Sequence, residues 1–408
     1  MFERNLIGRA AIACLLAAVL FGIAAAPKTH AEARSLAVKL QSSWAGPHRD
    51  ALRSPPSARR PRWPAIEPPS GAASFASSTA KPTAAEWWRL FGHLHTAAGR
   101  RFDFSVSFFR FSLRRDAGEA RTPNPWMSDA IIPATLIIVD ERQRQASTFT
   151  QLERNALGLA AFAPQRLPVR IGTWELAETT TSVNWRRRRF SLHAAAPNAT
   201  LDLLQAPLHA PVRYGTDGSV QTGTCNACRA HEEAYTRLRA RGTLALAGAR
   251  FAVDGLTWLD HESSSHELGN TDTGWDRFAF QLDDGRDIEL RLVRARDGRT
   301  TSASSGVVVA ANNVTVLDAK DFTVENPLAT HWHSPRTGIA YPSLWEAFIR
   351  RPRLDLAIIP PLQDQEISAH NGPSYYDASV DLERQEPPGG ELGHGYVELT
   401  GYDRPLRL

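Results

Sequence analysis

The sequence predicts an all-β protein built from many short antiparallel strands. Apolar residues alternate with polar ones from Arg101 to Phe108, which gives a strand with one apolar and one polar face. The same alternation occupies 278–282 and 288–292, and Asp284-Gly285 between these runs is typical of a tight hairpin turn. Long helical periodicity is scarce, so we expect a β-sandwich or a barrel.

Other segments extend this pattern. A further hairpin is predicted where Ala247-Gly248 separates the apolar runs 244–246 and 251–253. Only two segments, 151–161 and 344–350, have a pattern that would suit a helix. The roughly 325 residues that follow the N-terminal region are about twice what one small barrel needs, so we expect two barrels.

The composition is that of a soluble globular protein. Hydrophobic residues make up 42% and charged residues 22% of the 408 residues, which excludes a mostly disordered chain and a polytopic membrane protein. The 47 basic and 43 acidic residues leave a net charge of +4, which is too even to indicate a nucleic-acid partner. The 3 cysteines exclude a fold dominated by disulfides or by a cysteine-built zinc cluster.

The first 33 residues have the pattern of a secretory signal peptide. Arg4 and Arg9 precede an apolar run over 10–26, and Ala31-Glu32-Ala33 gives the small-x-small pattern of a signal peptidase site. The run is short for a membrane span, and an uncleaved single-span anchor is the alternative. We therefore expect a periplasmic or secreted protein in an oxidising compartment.

Residues 34–82 are expected to form a poorly ordered linker. Pro, Ser, Ala and Arg dominate 42–82, and clusters such as Ser54-Pro55-Pro56 cannot hold a helix or a strand ladder. A solvated spacer is the favoured interpretation. Contact of its arginines with an anionic membrane surface is the alternative.

Several later segments, taken in order, resemble one family. They are Glu86-Trp87-Trp88 with 91–94, the strand 101–110, then 235–238, 242–244 and 255–262, then 274–276 and 281–285, and finally 334–338, 341–342, 364–366 and 395–402. This ordered set resembles the carotenoid 1,2-hydratase (hydroxyneurosporene synthase) and AttH-like family of secreted proteins. The resemblance covers the chain from about Glu86 to Tyr402.

The resemblance implies two lipocalin-like barrels packed together, with a ligand cavity near their junction. It also implies work on long apolar, isoprenoid-like molecules, with neither a metal nor an organic cofactor. The boundary is placed near Glu262, with an N-terminal barrel over 83–262 and a C-terminal barrel over 263–408. Arg89 and Arg277 stand where the family usually has Tyr and Trp. The aromatic lining of such a cavity therefore differs in this chain.

Asp260 and Asp276 are the candidate acids for catalysis. Adding water to a carbon–carbon double bond needs a proton donor, and a carboxyl group kept neutral by an apolar site can donate at neutral pH. Each of the two aspartates shares a predicted strand face with apolar residues, where an unpaired carboxylate is costly. Glu262 and His261, beside Asp260, complete the candidate catalytic set. The structural alternative is a hydrogen-bonded clasp of Asp260, His261 and Glu262 between the barrels. In the same alternative, Glu86 and Asp276 pair with buried arginines such as Arg237 or Arg336.

The residues expected to line the ligand cavity are mostly aromatic, because aromatic faces stabilise a developing cation. The set comprises Glu86, Trp87, Trp88, Trp258, Trp275 and Tyr396. Either Glu86 or His261 is expected to orient the attacking water or to hold the acid.

Cys225 and Cys228 form a lone CxxC motif. In an exported protein a local disulfide is the favoured interpretation. A zinc site would need two more ligands, and a thioredoxin-like site would need a strand before the motif and a helix after it. Both remain alternatives.

Three other motifs have weaker functional interpretations. The pairs His93/His95 and His331/His333 would suit a metal, but the family resemblance offers none and no metal site is expected. The run 186–189 of four arginines is either a solvated rim or a site for anionic lipid. Ser263 to His266 beside Asp260 do not indicate a serine hydrolase, because catalytic triads are assembled from distant segments.

The sequence therefore predicts an exported tandem lipocalin-like protein that binds a long apolar isoprenoid or lipid. As an enzyme it would be a cofactor-free hydro-lyase that hydrates a carbon–carbon double bond. The alternative is a non-catalytic periplasmic lipid carrier, and a hydrolase is less favoured. An enzyme needs a carboxyl group with a raised pKa in the cavity, whereas in a carrier Asp260 and Asp276 would both be held in salt bridges.

Overall fold

A computed structural model of the protein describes residues 83–113, 128–162, 166–215, 218–266, 268–310, 313–368, 373–384 and 390–406. The expected signal peptide (1–33) and linker (34–82) lie outside the described residues. Within the described part, no helix is long and apolar enough to cross a membrane.

The first sheet has 13 strands and forms a nearly closed barrel. Its strands are β1 (Ala85–His95), β2 (Arg101–Ser112), β3 (Ala130–Asp140), β4 (Gln145–Arg154), β5 (Ala160–Phe162), β6 (Val169–Ile171), β7 (Trp174–Thr180), β8 (Arg189–Ala196), β9 (Ala199–Pro207), β10 (Val212–Arg213), β11 (Ser219–Gln221), β12 (Arg229–Leu246) and β13 (Ala249–His266), with a 3-10 turn at Trp185–Arg187. The order is β4-β3-β2-β1-β13-β12-β9-β8-β7-β6-β5, and β10 and β11 pair with β12.

The second sheet has 10 strands and forms the second nearly closed barrel. The remaining strands are β14 (Asp272–Leu282), β15 (Arg286–Ala295), β16 (Ser305–Ala310), β17 (Asn313–Asp318), β18 (Phe322–Glu325), β19 (His331–His333), β20 (Ala340–Pro342), β21 (Trp345–Arg350), β22 (Arg353–Ile359), β23 (Glu366–Ile367), β24 (Tyr375–Arg384) and β25 (Glu391–Leu399). The order is β17-β16-β15-β14-β25-β24-β22-β21-β18, with β23 on β24, while β19 and β20 form a separate pair.

The all-β fold with two barrels confirms the fold class predicted from the sequence. The predicted hairpins are also present, because Ala247-Gly248 joins β12 to β13 and the turn at Gly285 joins β14 to β15. Ala247, Gly248 and Gly285 all have positive φ, the left-handed conformation that such tight turns require. The first sheet ends at His266, just beyond the boundary expected near Glu262.

Neither predicted helix candidate is a helix. Residues 345–350 form β21, in which every second side chain is buried, so their true period is two. The segment 151–161 runs from the end of β4 through a turn into β5. Leu157 and Gly158 have φ of 56° and 72° there, and two successive left-handed residues cannot continue a helix.

Each barrel has its own apolar interior, and a third apolar cluster lies between the barrels. The first interior includes Phe104 and Leu136, and the second includes Phe278 and Phe280. The cluster between the barrels comprises Phe91, Val212, Tyr214, Ala234, Trp258, Ala279, Val307, Val309 and Tyr396. Both faces of the strands at the junction are therefore buried, one in a barrel interior and one against the other barrel.

Side-chain alternation along β1 decides what each residue contacts. Trp88 and Leu90 belong to the first interior, whereas Phe91 belongs to the cluster between the barrels. We define the upper end of the first barrel as the end where β1 begins, at Ala85, and β13 ends, at His266. Two sets of polar residues follow from this geometry, one inside the first barrel at its upper end and one at the junction.

Candidate functional site

The sequence-predicted site residues do not converge on one place. Glu86, Trp88 and His261 lie inside the first barrel at its upper end, and Asp276 lies on the interior face of the second barrel. The remaining candidates lie at the junction: Trp87, Trp258, Asp260, Glu262, Trp275 and Tyr396. Residues adjacent in a strand point to opposite faces, so His261 is separated from Asp260 and Glu262.

Asp260 is held at the junction by an arginine of the second barrel. Arg277 Nη2 lies 3.0 Å from Asp260 Oδ2 and 2.7 Å from Glu232 Oε1, and its Nε donates to Glu289 at 2.8 Å. Trp258 Nε1 also donates to Asp260. Burial raises the pKa of Asp260 to about 6, although Arg277 opposes the change. The charge of this carboxyl group is thus compensated in part by an arginine of the second barrel.

Glu262 belongs to the same junction network. Arg291 donates to Glu262 at 2.8 Å and to Glu232 at 3.0 Å. The network therefore contains four carboxyl groups and two guanidinium groups. Burial raises the pKa of Glu232 well above its usual range, and the Arg291 and Arg277 guanidinium groups oppose the change. Asp260 and Glu262 thus join the barrels as the alternative interpretation expected, whereas His261 lies outside this network. The arginines suggested as partners of Glu86 and Asp276 pair elsewhere, Arg237 with Asp287 and Arg336 with Asp364.

Three carboxylates of the junction network lie close enough together to resemble a metal site. Carboxylate oxygens of Glu232, Asp260 and Glu289 lie within 4.8 Å of one another. Arg277, however, contacts all three residues. A guanidinium cation fills the position where a metal ion would have to bind.

Asp276 is in a different environment. Arg294 Nε donates to its Oδ1 at 2.9 Å, and the Tyr402 hydroxyl donates to Oδ2 at 3.1 Å. Burial raises the pKa of Asp276, and the Arg294 guanidinium opposes the change. Asp276 and Asp260 therefore do not form a pair, because one faces the interior of the second barrel and the other faces the junction.

The junction aromatic rings pack against one another. Trp87 stacks on Trp275 with ring centroids 6.3 Å apart, and Phe91 lies 5.8 Å from Trp258 and 4.8 Å from Tyr396. These rings lie in the region between the barrels where the ligand cavity was expected. A surface depression of about 700 Å³ lies elsewhere, at the lower end of the first barrel, between 96–101 and 250–252.

Glu86, His261 and Trp88 form a compact unit inside the first barrel. His261 Nε2 lies 2.8 Å from Glu86 Oε1, and the imidazole stacks on the Trp88 indole with centroids 4.0 Å apart. Glu86 and Trp88 are fully buried, and His261 is 5% exposed. An imidazole bonded to a carboxylate and fixed by stacking is a unit suited to proton transfer.

The strand register surrounds this unit with further polar residues. Directly opposed residues share a face of the sheet, so Arg110 and Ser263, the two ladder neighbours of Glu86, also face the interior. The other neighbour of His261 is Glu233, on β12. Sequence reasoning did not select Arg110 as a site residue, although the alternation of β2 places it on the same face as Phe108.

One arginine of the run 186–189 turns toward this interior. Arg188 Nη1 donates to the Tyr235 hydroxyl at 3.0 Å, and Arg188 Nε lies 3.4 Å from Glu178 Oε1. Burial raises the pKa of the Tyr235 hydroxyl, and Arg188 opposes the change. Arg186, Arg187 and Arg189 remain exposed. One arginine of the run therefore points inward, and the other three form an exposed rim.

Cys225 and Cys228 are joined by a disulfide. The disulfide loop is tied to the segment of chain that enters the second barrel. Thr224, just before the loop, donates to Asp272 through its backbone N–H at 2.8 Å and through its hydroxyl at 2.7 Å. The disulfide thus fixes a loop of the first barrel against the start of β14.

The motifs of the last third of the chain meet around one buried carboxylate. Glu366 accepts hydrogen bonds from Ser334, from Thr337 at 2.6 Å and from Tyr341 at 3.1 Å. In the sequence these segments were notable only for their resemblance to the family. Their shared role is to connect the β19–β20 pair to the second barrel.

Comparisons with known proteins agree with this architecture. A family model described as AttH-like matches residues 69–402. The crystal structure of an AttH homologue from Nitrosomonas europaea covers 82% of this chain and 98% of its own, with a TM-score of 0.69 and 23% identity. Kievitone hydratase from Nectria haematococca covers 79% of this chain and 90% of its own, with a TM-score of 0.58 and 14% identity.

No curated protein matches the sequence significantly. The family-model match nevertheless spans most of the sequence, including both barrels, and confirms the resemblance found in the ordered motifs. The chain belongs to the AttH-like family.

Proposed function

We propose that the first barrel binds an apolar, isoprenoid-like molecule at its upper end and adds water across one of its carbon–carbon double bonds without a cofactor. The observation that carries the proposal is the buried Glu86–His261 pair stacked on Trp88. Among the sequence-predicted residues within the described ranges, this pair faces the interior of the first barrel and is suited to proton transfer.

Proton transfer by this pair accounts for hydration. The pair gives a proton to one carbon of the double bond and takes a proton from the water whose oxygen bonds to the other carbon. The carbon–carbon double bond becomes single, and the pair ends in its original protonation state. Glu86 holds the imidazole in position throughout, and the Trp88 face stabilises positive charge that develops nearby.

The junction carboxylates are poorer candidates. Asp260 and Glu262 are each bonded to an arginine of the second barrel, and the surrounding aromatic rings pack against one another. A proton donor must reach the substrate, and both carboxylates are already engaged by arginines. We assign them to the association of the barrels.

Structural similarity to a known hydratase supports a hydration reaction. Kievitone hydratase, which shares the fold at 14% identity, has a name that states this type of reaction. That name describes the fungal protein, and its substrate is not carried over here.

The test is incorporation of oxygen from ¹⁸O-labelled water into a panel of unsaturated isoprenoids: farnesol, squalene and pseudoionone. We expect the wild-type protein to hydrate at least one of them. Glu86→Gln and His261→Gln should lower that rate by about 10²–10⁴-fold, the usual contribution of a general acid–base group. Asp276→Asn is the matched control, because this carboxyl group faces the other barrel, and should retain the wild-type rate.

The same experiment distinguishes the second candidate function. A carrier would bind members of the panel and release them unchanged, with no label incorporated by any variant. Equal loss of rate in Asp276→Asn and Glu86→Gln would place the chemistry outside the first barrel.

We also propose that the protein is exported to the periplasm or secreted. The disulfide between Cys225 and Cys228 supports this location, because structural disulfides persist in oxidising compartments. A cell-fractionation experiment with an epitope at the C-terminus tests the proposal. Recovery with the cytoplasmic fraction, with both thiols free, would contradict it.

Contact with an anionic membrane surface is part of the same proposal. Arg186, Arg187 and Arg189 are exposed close to the start of β8, beside Val183, whose side chain is fully exposed. A basic rim around an apolar residue suits the surface of an anionic bilayer. Such contact would let an apolar substrate enter the barrel from the membrane.

A further inference from the structure

Arg110 is a mostly buried cation on the interior face of β2. It is only 8% exposed, its Nε has no hydrogen-bond partner, and no described residue forms an ion pair with it. A charged group removed from water without a partner costs free energy. A ligand that accepts a hydrogen bond from Nε would supply the missing interaction.

A second unpartnered group lies on the same face of the sheet. Ser263 is 1% exposed, and its buried hydroxyl has no hydrogen-bond partner. Arg110 and Ser263 flank Glu86 on the two neighbouring strands, because Glu86 is opposite Arg110 in β2 and opposite Ser263 in β13. Two unused donors therefore face the interior on either side of the Glu86–His261 pair.

We infer that Arg110 and Ser263 bind a carbonyl oxygen of the substrate, and that the double bond to be hydrated is conjugated to that carbonyl. This inference rests on the proposed function and narrows its substrate class to isoprenoid-like α,β-unsaturated carbonyl compounds. Both groups are donors, and an oxygen that gains negative charge during the reaction is the acceptor they suit best.

The reaction balances without a further reactant. The oxygen of water bonds to the β-carbon, and the proton that it loses passes to the Glu86–His261 pair. The electrons of the double bond move toward the carbonyl, so its oxygen becomes an enolate oxygen held by Arg110 and Ser263. The α-carbon then takes the proton back, and the carbonyl is restored.

Conjugation also removes a chemical difficulty. Protonation of an isolated double bond by the imidazole–carboxylate pair forms a carbocation, so it is slower than addition of water to a conjugated double bond. The pair is well matched to a reaction in which charge develops on an oxygen that is already stabilised by a guanidinium group.

The test uses pseudoionone, an acyclic isoprenoid ketone with two conjugated double bonds and one isolated double bond, and the alcohol obtained by reducing its carbonyl. Binding is measured by titration calorimetry. The wild-type protein should bind the ketone about tenfold or more tightly than the alcohol, as expected for a charge-assisted hydrogen bond. Arg110→Met should lose that preference, and Arg110→Lys should retain part of it.

Arg239→Met is the matched control, because Arg239 is an exposed arginine of β12, and it should bind both compounds as the wild type does. Thermal unfolding gives an independent readout. Since no described residue forms an ion pair with Arg110, Arg110→Met should keep or raise the Tm. A clear fall in Tm would show that the protein itself supplies the partner, which overturns the inference.

The carbon that receives the hydroxyl group distinguishes a failure of this inference from a failure of the proposed function. Loss of the dienone absorbance, with labelled oxygen at a conjugated carbon, is the expected result. Label at the isolated double bond, or equal binding of ketone and alcohol, overturns the inference and leaves a hydratase. Absence of label from every compound of the panel overturns the proposed function itself.

Discussion

Asp260 shows how the junction depends on protonation. Glu289 is a neighbouring carboxyl group, and the Arg277 guanidinium forms ion pairs with both Asp260 and Glu289. Burial without full compensation raises the pKa of Asp260 to about 6, against an ordinary value of 3.8. The folded protein therefore binds a proton between about pH 4 and pH 6 that the unfolded chain does not bind. The stabilisation from this group grows as the pH falls through 6 and is lost as the pH rises through it.

We predict that lowering the pH from 7 to 5 stabilises the wild type relative to Asp260→Asn. The relative gain should reach about 1–2 kcal/mol, since each unit of pKa shift corresponds to about 1.4 kcal/mol. The measurement is the free energy of unfolding in urea at both pH values.

Asp284→Asn serves as the control for that experiment. A side-chain hydrogen bond from Arg286 lowers the pKa of the half-exposed Asp284, so its small effect should have the opposite sign. Parallel pH profiles for the wild type and Asp260→Asn would contradict the assignment of the proton to Asp260.

The sequence predicts well which side chains of a strand point into a barrel, provided that the strand has one polar face. The alternation from Phe102 to Phe108 identifies the interior face of β2, and its continuation places Arg110 inside the barrel. The orientation of β1, β13 and β14 is harder to read, because nearly all their residues are buried. A strand buried on both faces has no polar side to mark its exterior.

Asp260 illustrates the resulting ambiguity. Its apolar neighbours predict burial correctly, but they cannot distinguish a barrel interior from a junction with a second barrel. The deciding partner, Arg277, lies on the next strand of the chain and belongs to the other sheet. The His261–Glu86 contact spans 175 residues and depends on the β1–β13 register, which no local pattern encodes.

At the scale of elements, the loop closed by Cys225 and Cys228 links the two barrels through Thr224 and Asp272. Closing a loop of this length removes chain entropy from the unfolded state. We predict that Cys225→Ser lowers the free energy of unfolding by about 2 kcal/mol. The measurement is denaturation in urea with and without a reductant.

The reductant provides the control within the same experiment. It should destabilise the wild type by a similar amount and leave Cys225→Ser unchanged. A wild-type protein indifferent to reductant would show that the disulfide contributes nothing to stability.

The molecule as a whole is held together by charged groups that cross between the barrels. Arg277 and Arg291 of the second barrel contact Glu232, Asp260 and Glu262 of the first. Arg89 of the first barrel contacts Asp377 and Glu398 of the second. Because these groups are buried, the loss of one partner leaves an uncompensated charge.

We predict that Arg277→Met destabilises the protein by about 3–5 kcal/mol, the usual cost of removing one partner of a buried ion pair. Arg299→Met, at an 87% exposed side chain, is the control and should change stability by less than about 0.5 kcal/mol. Denaturation should also change from one transition to two as the barrels uncouple. A neutral Arg277→Met would mean that apolar contacts alone hold the junction.

The claim that function resides inside the first barrel, and not between the barrels, is tested most directly by a crystal structure with bound pseudoionone. We predict that the ketone lies at the upper end of the first barrel, with its oxygen within hydrogen-bond distance of Arg110 and a double bond beside His261. Density for the ketone among Trp258, Trp275 and Tyr396 would contradict the account and return the site to the junction.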